Sequence, residues 1–366
     1  MVTGGRNSNA TPAQSPLVSS NFNRQTTMIK VFYILILFSS SLSVFGQSNA
    51  DDQKRDLAFY NATHKWFSAW KLVSKEIYKI ERVRPVEFVF FDDKYVYSTS
   101  AITIKNGRPV MGNNLMNLKF QWKKELHNDS LTLPDKSVVP INLMSFAAEI
   151  PTERKSFFVM PLLNFWQQAG VSSKELGLEN LITGVFIHEF SHSQQMQNFG
   201  KKLTAFEKEN NYDIEFSDDI VQNIFAKDTT YLKFYKKEVE FFYGLLKNNA
   251  LEKDSVKESL SLMKQRQNMY FKGKYENLNE IDNFFLTMEG LGQYSMFLWL
   301  VHPKGGDIKR EIAIEGVRRG GKWWSQDEGF ALFLILDKLT IPKSWARDMF
   351  GDKTESVTVL IQRLNL

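Results

Sequence analysis

The chain has 366 residues, 43% hydrophobic and 24% charged, an ordinary globular balance with room for one large domain or two small ones. Residues 1 to 46 hold Arg6, Arg24 and Lys30 and no acid, so the formal charge of +5 falls to +2 in the remainder, with 43 basic against 41 acidic residues. Mild basicity without a basic run interleaved by aromatics gives no nucleic-acid footprint, and zero cysteine excludes disulfides, thiolate catalysis, Cys-ligated metal and a lipid-modified cysteine.

Residues 1 to 27 are polar, lack acids and show no periodicity, and read as an upstream extension. Met28-Ile29-Lys30, the apolar stretch Val31 to Phe38 and the small-residue run Ser39 to Gly46 follow, the pattern of a secretory signal peptide over 28 to 46 cleaved between Gly46 and Gln47. The apolar core is shorter than the roughly 20 residues that span a bilayer. The expected location is therefore secreted or periplasmic, with no stable membrane insertion after cleavage.

Leu57 to Ile80 places Phe59, Trp66, Trp70, Val73 and Ile77 at three- to four-residue steps and predicts a helix with an aromatic face. Beyond Pro85, Val86 to Tyr97 is β-branched and aromatic around Asp92-Asp93-Lys94, which predicts two strands and a turn, with Ser98 to Ile104 continuing the second. Asn106-Gly107 and Gly112-Asn113 mark turns. Ser145 to Leu163 reads as further strand, strongest at Phe157 to Met160, and an extended peptide could pair along its edge. From Ser173 onward the pattern is helical, with helices near 179 to 198, 217 to 226, 229 to 248, 252 to 271, 279 to 300, 307 to 318, 325 to 338 and 354 to 364. The charged block Lys201 to Asp219 reads as a solvated loop. The fold class is α+β, a small N-terminal mixed sheet (47 to 172) packed on a mainly helical half (173 to 366).

Within the first of these helices lies His188-Glu189-Phe190-Ser191-His192. Histidines at i and i+4 project from one helix face, so their ring nitrogens can converge on one tetrahedral cation with Glu189 beside the remaining position, the arrangement for zinc-assisted hydrolysis. A chance occurrence is expected roughly 0.004 times in a chain of this composition. His64, His127 and His302 stand alone and read as structural or surface residues. Catalytic zinc takes three protein ligands, and no histidine follows within SQQMQNFGKKL, so a carboxylate on a second helix remains. Two segments compete, Thr287 to Tyr294 (TMEGLGQY) and Gln326 to Phe333 (QDEGFALF). In each, Gly follows Glu, and a small residue there lets the second helix pack closely on the first.

These residues resemble the gluzincin group of zinc metallopeptidases, in which HExxH supplies two ligands and a downstream Glu, often within Glu-Gly-x-Ala/Gly-x-Tyr, supplies the third. The resemblance is local, covering the motif and one Glu-Gly segment. It implies a zincin-like fold, a Zn2+ cofactor held by His188, His192 and Glu289, Glu189 as general base, and a peptide or protein substrate. Gly292 and Tyr294 match the pattern around Glu289; Glu328 is the rival, its segment resembling the aminopeptidase branch. The departure is spacing, since Glu289 and Glu328 follow His192 by 97 and 136 positions against about two dozen in that branch.

A tetrahedral oxyanion needs a second electrophile besides the metal, and Tyr294, five residues beyond Glu289, is the nearest phenol to nominate. Asp218 or Asp219 could orient a ligand histidine, and Arg318 or Arg319 could hold a substrate carboxylate. A rival from another class is an exported, non-catalytic binding protein on a zincin scaffold, its surface drawing on 30 Phe, 12 Tyr and 8 Trp.

Overall fold

The computed structural model describes residues 44–366 except 152, 211, 213, 248–250 and 365–366. The extension at 1–27 and all but the last three residues of the expected signal segment lie outside the described residues. Among the described residues no helix is long and apolar enough to cross a membrane.

The described residues begin with α1 (Val44–Lys71), which widens to π-helical turns over Leu72–Tyr78. The strands follow: β1 (Val86–Phe91), β2 (Tyr95–Ser98), β3 (Arg108–Pro109), β4 (Lys123–Leu126), β5 (Ser130–Thr132), β6 (Val138–Pro140), β7 (Phe146–Ile150) and β8 (Lys155–Pro161). Helices fill the rest: α2 (Leu163–Gln168), α3 (Leu178–Gln195), α4 (Lys201–Glu209), α5 (Ile220–Phe225), α6 (Thr229–Leu245) and α7 (Lys253–Tyr270). Then come α8 (Leu278–Val301), α9 (Arg310–Arg318), α10 (Trp324–Leu339), α11 (Ala346–Met349) and α12 (Val357–Arg363). The expected α+β class and strand-then-helix order hold.

Six strands form one mixed sheet in the order β3-β4-β2-β1-β8-β7, with β1 and β8 parallel in the register Val86↔Ser156 to Phe91↔Pro161 and the other pairs antiparallel. β1 and β8 are buried on both faces, which is why VEFVFF and KSFFVMP are nearly continuous apolar runs rather than alternating ones. Period two still sorts their side chains. Phe88, Phe90 and Phe158 face α1 and α3, whereas Val89, Phe91, Phe157 and Val159 face the β5–β6 hairpin through Leu131 and Val139. On the helix side Trp66 stacks on Phe186 at 5.5 Å and Phe88 on Phe190 at 5.8 Å. Each such side chain withdrawn from water contributes roughly 1.5–3 kcal/mol, so the aromatic face read over 57 to 80 is the wedge between sheet and α3.

Three local expectations need correction. β2 stops at Ser98 because the Ser98 hydroxyl donates to the Phe88 carbonyl and accepts the Ser100 N–H, turning the chain before Ile104. Ser145 to Leu163 is a hairpin, β7 and β8, rather than one strand. The block from Lys201 is helical up to Glu209, since Leu203 is buried and Phe206 packs on Phe284 at 5.8 Å, giving this charged segment an anchored apolar stripe.

Candidate metal centre

Helix α3 is buried continuously from Leu181 to Gln195, wedged between the sheet and α8. The His188 and His192 rings lie one turn apart and perpendicular, their centroids separated by 4.6 Å and their Nε2 atoms by 2.9 Å. Opposite them on α8, Glu289 places Oε2 3.1 Å from His188 Nε2 and Oε1 3.1 Å from His192 Nε2. The Glu189 carboxylate stands close to the imidazoles, the ligand atoms of His188, Glu189 and His192 all within 4.8 Å of one another.

Glycines decide how closely the helices meet. A Cβ on Gly292 would fall 2.6 Å from His188 Nδ1, so that position must stay bare for α8 to bring Glu289 to the imidazoles, and one on Gly184 would press on the Met296 side chain at 2.6 Å. The expected Gly290 serves a different contact: a Cβ there would lie 2.4 Å from the Gly329 backbone on α10. Helical periodicity explains the difference, because residue i+3 shares the face of Glu289 and residue i+1 does not.

The two Glu-Gly segments therefore cross at their glycines, and their carboxylates diverge. Glu328 points to Arg266, which is 1% exposed and donates to it at 2.8 and 3.1 Å and to Glu238 at 2.8 and 3.0 Å. The Tyr231 hydroxyl also accepts from Arg266, and Asp282 lies 4.0 Å away, so one cation joins α6, α7, α8 and α10. Burial, with Glu238 as neighbour, pushes the Glu328 carboxyl up. Arg266 carried a weak sequence signal: it falls three residues after Met263 on the core-facing stripe of α7, where an arginine is out of place unless paired.

Electrostatics at the imidazole pair is that of charges withheld from water. Burial pushes Glu189 up to about 8. Burial lowers His188. Burial alone would lower His192 too, but the Glu289 carboxylate outweighs it and raises that ring to about 9. Burial works against the Glu289 charge, and the His192 and His188 rings more than reverse this, holding it below the usual carboxylate range.

The donor set fits a small divalent cation. Two ring nitrogens and two carboxylate oxygens face one another at 2.9–3.1 Å, yet buried Glu289 Oε2 has no partner in hydrogen-bond geometry. Without an ion the 2.9 Å contact between the ring nitrogens needs a proton on one of them, whereas an ion about 2.0–2.1 Å from each donor satisfies them all. The His/His/carboxylate chemistry suits zinc.

Other expected residues go elsewhere. Tyr294 is about 140° round α8 from Glu289; its hydroxyl donates to Asp337 at 2.6 Å and its ring stacks on Phe333, away from the imidazoles. His192 Nδ1 is buried without a partner, so neither Asp218 nor Asp219 orients that ring. Arg318 is committed to Asp327 at 2.9 Å and to the face of Tyr243 at 3.6 Å. Of the solitary histidines, His64 is exposed, His127 bonds the Asp92 carbonyl at 2.9 Å and His302 accepts the Lys304 N–H at 3.1 Å.

A cavity of about 260 Å³ opens over Glu189, His188, His192 and Glu289. One wall is Ser145 to Glu149, so β7, the terminal strand of the sheet, borders it; Phe216, Phe285 and Met288 form an apolar wall. No protein family, curated protein or solved structure matches the chain. What fold and site together define is an α+β protein carrying a buried His-Glu-x-x-His group beneath a sheet edge.

Proposed function

We propose that this protein is a zinc-dependent hydrolase of zincin-like architecture, a peptidase, with His188, His192 and Glu289 as ligands. The convergence of two imidazole nitrogens and one carboxylate at 2.9–3.1 Å, with a second carboxylate alongside, carries the reading. Zinc bound there would polarise a carbonyl and acidify a water. Glu189 takes the proton as the water oxygen bonds to the acyl carbon, and delivers it to the amine nitrogen as the C–N bond breaks. Burial raises Glu189 and a bound divalent cation would oppose that shift, the two influences between which a group that takes and returns a proton is set.

β7 supplies the substrate platform. As an edge strand bordering the cavity it can add an extended peptide through backbone hydrogen bonds, while Phe216, Phe285 and Met288 receive an apolar side chain. With an exported chain, the substrate would be an extracytoplasmic peptide or protein. Glu189→Gln is expected to retain zinc and lose roughly 10²–10⁴-fold in peptide turnover, measured with a peptide library and metal analysis side by side. Full turnover by that variant would remove the mechanism; stoichiometric zinc with no turnover by the unaltered protein would favour the non-catalytic binding protein.

A further inference from the structure

Five carboxylates wall the cavity, Glu149, Glu189, Glu207, Asp218 and Glu289, and among the described residues no lysine or arginine joins them. The one carboxamide on that wall is Gln326, from the first turn of α10. Its two polar atoms are in different conditions. Oε1 accepts from Gln293 Nε2 at 2.5 Å. Nε2 has no partner among the described residues, and unlike Gln293 Oε1 it is not sealed from solvent. Since Gln326 is only 5% exposed, the surface left to that nitrogen is the cavity the residue lines. Turning both amides over would bury the Gln293 NH2 without an acceptor, which is costlier than the unpartnered carbonyl oxygen that Gln293 has here.

The backbone beneath this donor is fixed. The Trp324 N–H donates to Gln222 at 3.0 Å, and Asp327 Oδ1 accepts from Tyr243 and from Arg318, both at 2.9 Å. A donor held in this way loses little freedom when a ligand reaches it. Its place in the cavity follows from the helix crossings. Gly290 meets α10 and Gly292 meets α3, and residues two apart lie on opposite faces of a helix, so α8 stands between α10 and α3. With α3 wedged between the sheet and α8, the order across the site is β7, α3, α8, α10, and the edge strand and Gln326 occupy its two ends.

We infer that Gln326 is a substrate-positioning residue whose Nε2 donates to an uncharged backbone carbonyl of the peptide, at the end of the cavity away from β7. The inference rests on the hydrolase reading and adds the second anchor that an extended peptide spanning the site requires. The chemistry of the wall selects the ligand group. Hydroxyls there can turn to donate or accept, but Nε2 only donates, so it holds no cation. The surrounding carboxylates disfavour an anion. A neutral carbonyl oxygen remains.

The test uses the zinc-loaded full chain and an acetylated trialanine hydroxamate, whose hydroxamate occupies the metal while its peptide lies along the cavity. Analogues carry a thioamide, a poorer acceptor, at one amide at a time. One thioamide position is expected to weaken binding to the unaltered protein by roughly 5-fold. In Gln326→Leu the parent compound should bind roughly 5-fold more weakly and that position should cease to matter. Zinc content and Tm should be unchanged, and KM for library peptides should rise by a similar factor while kcat holds. Gln293→Leu, which releases the amide from outside the cavity wall, should shrink the same penalty. Thioamide penalties identical in the unaltered protein and both variants, with peptides still cleaved, would overturn the assignment and leave the hydrolase reading standing. Gln326-dependent binding of the hydroxamate without turnover of any library peptide would refute the hydrolase reading and keep the carbonyl anchor.

Discussion

Glu289 and Glu328 sit in near-duplicate segments on crossing helices, both buried and both followed by glycine, yet one faces two imidazoles and the other an arginine. The difference lies in what each helix meets. Around Glu328 the protein supplies its own cation, and Arg266 is shared among Glu238, Glu328 and Asp282 as a closed network. Around Glu289, among the described residues, no lysine or arginine makes an ion pair, and imidazoles answer the carboxylate. A buried carboxylate completed by an arginine is held as structure, and one that faces only imidazoles keeps donors that a cation could use.

Substitutions can break that contrast at several strengths. Arg266→Met strips the cation from three buried acids and should cost roughly 3–5 kcal/mol, the scale for breaking a buried pair; denaturant unfolding measures it, and the zinc stoichiometry should be unaffected in the folded fraction. Loss of zinc in that variant would merge the two regions into one site. Gly329→Ala tests the crossing that keeps the segments apart, because its Cβ would come within 2.2 Å of the Leu286 carbonyl. Overpacking of this kind costs about 1–3 kcal/mol, and a Tm equal to that of the unaltered protein would show that the helices can separate freely. Tyr294→Phe should cost only about 1 kcal/mol through the lost bond to Asp337 and leave peptide turnover intact. A fall in kcat with unchanged stability would return Tyr294 to the chemistry.

How much of this could be read from the sequence follows the range of the interactions. His188, Glu189 and His192 owe their proximity to one helix, and i, i+4 geometry makes that legible in five residues. The elements from α5 to α10 were likewise carried by local apolar periodicity. What was not legible depends on partners far along the chain. Gly290 and Gly292 are both small residues near Glu289, and only the packing of α8 on α3 and α10 separates their roles. Tyr294 matches the Glu-Gly-x-Ala/Gly-x-Tyr pattern of the resemblance, but its hydroxyl is claimed by Asp337, 43 residues away. Arg318 and Arg319 are adjacent and chemically identical; the Asp327 and Tyr243 contacts that occupy one of them arise from tertiary structure. Lys201 to Glu209 misled for a related reason, since two apolar residues among charges suffice to anchor a helix when Phe284 waits beneath them.

The central claim is that α3 and α8 together build a cation site while the matching segment of α10 does not. Metal analysis of the purified protein beside Glu289→Ala and Glu328→Ala tests it most directly, with thermal unfolding to confirm that each variant is folded. The account predicts one zinc per chain, lost in folded Glu289→Ala and kept in folded Glu328→Ala. Zinc retained without Glu289, or a protein that binds no zinc at all, would contradict it.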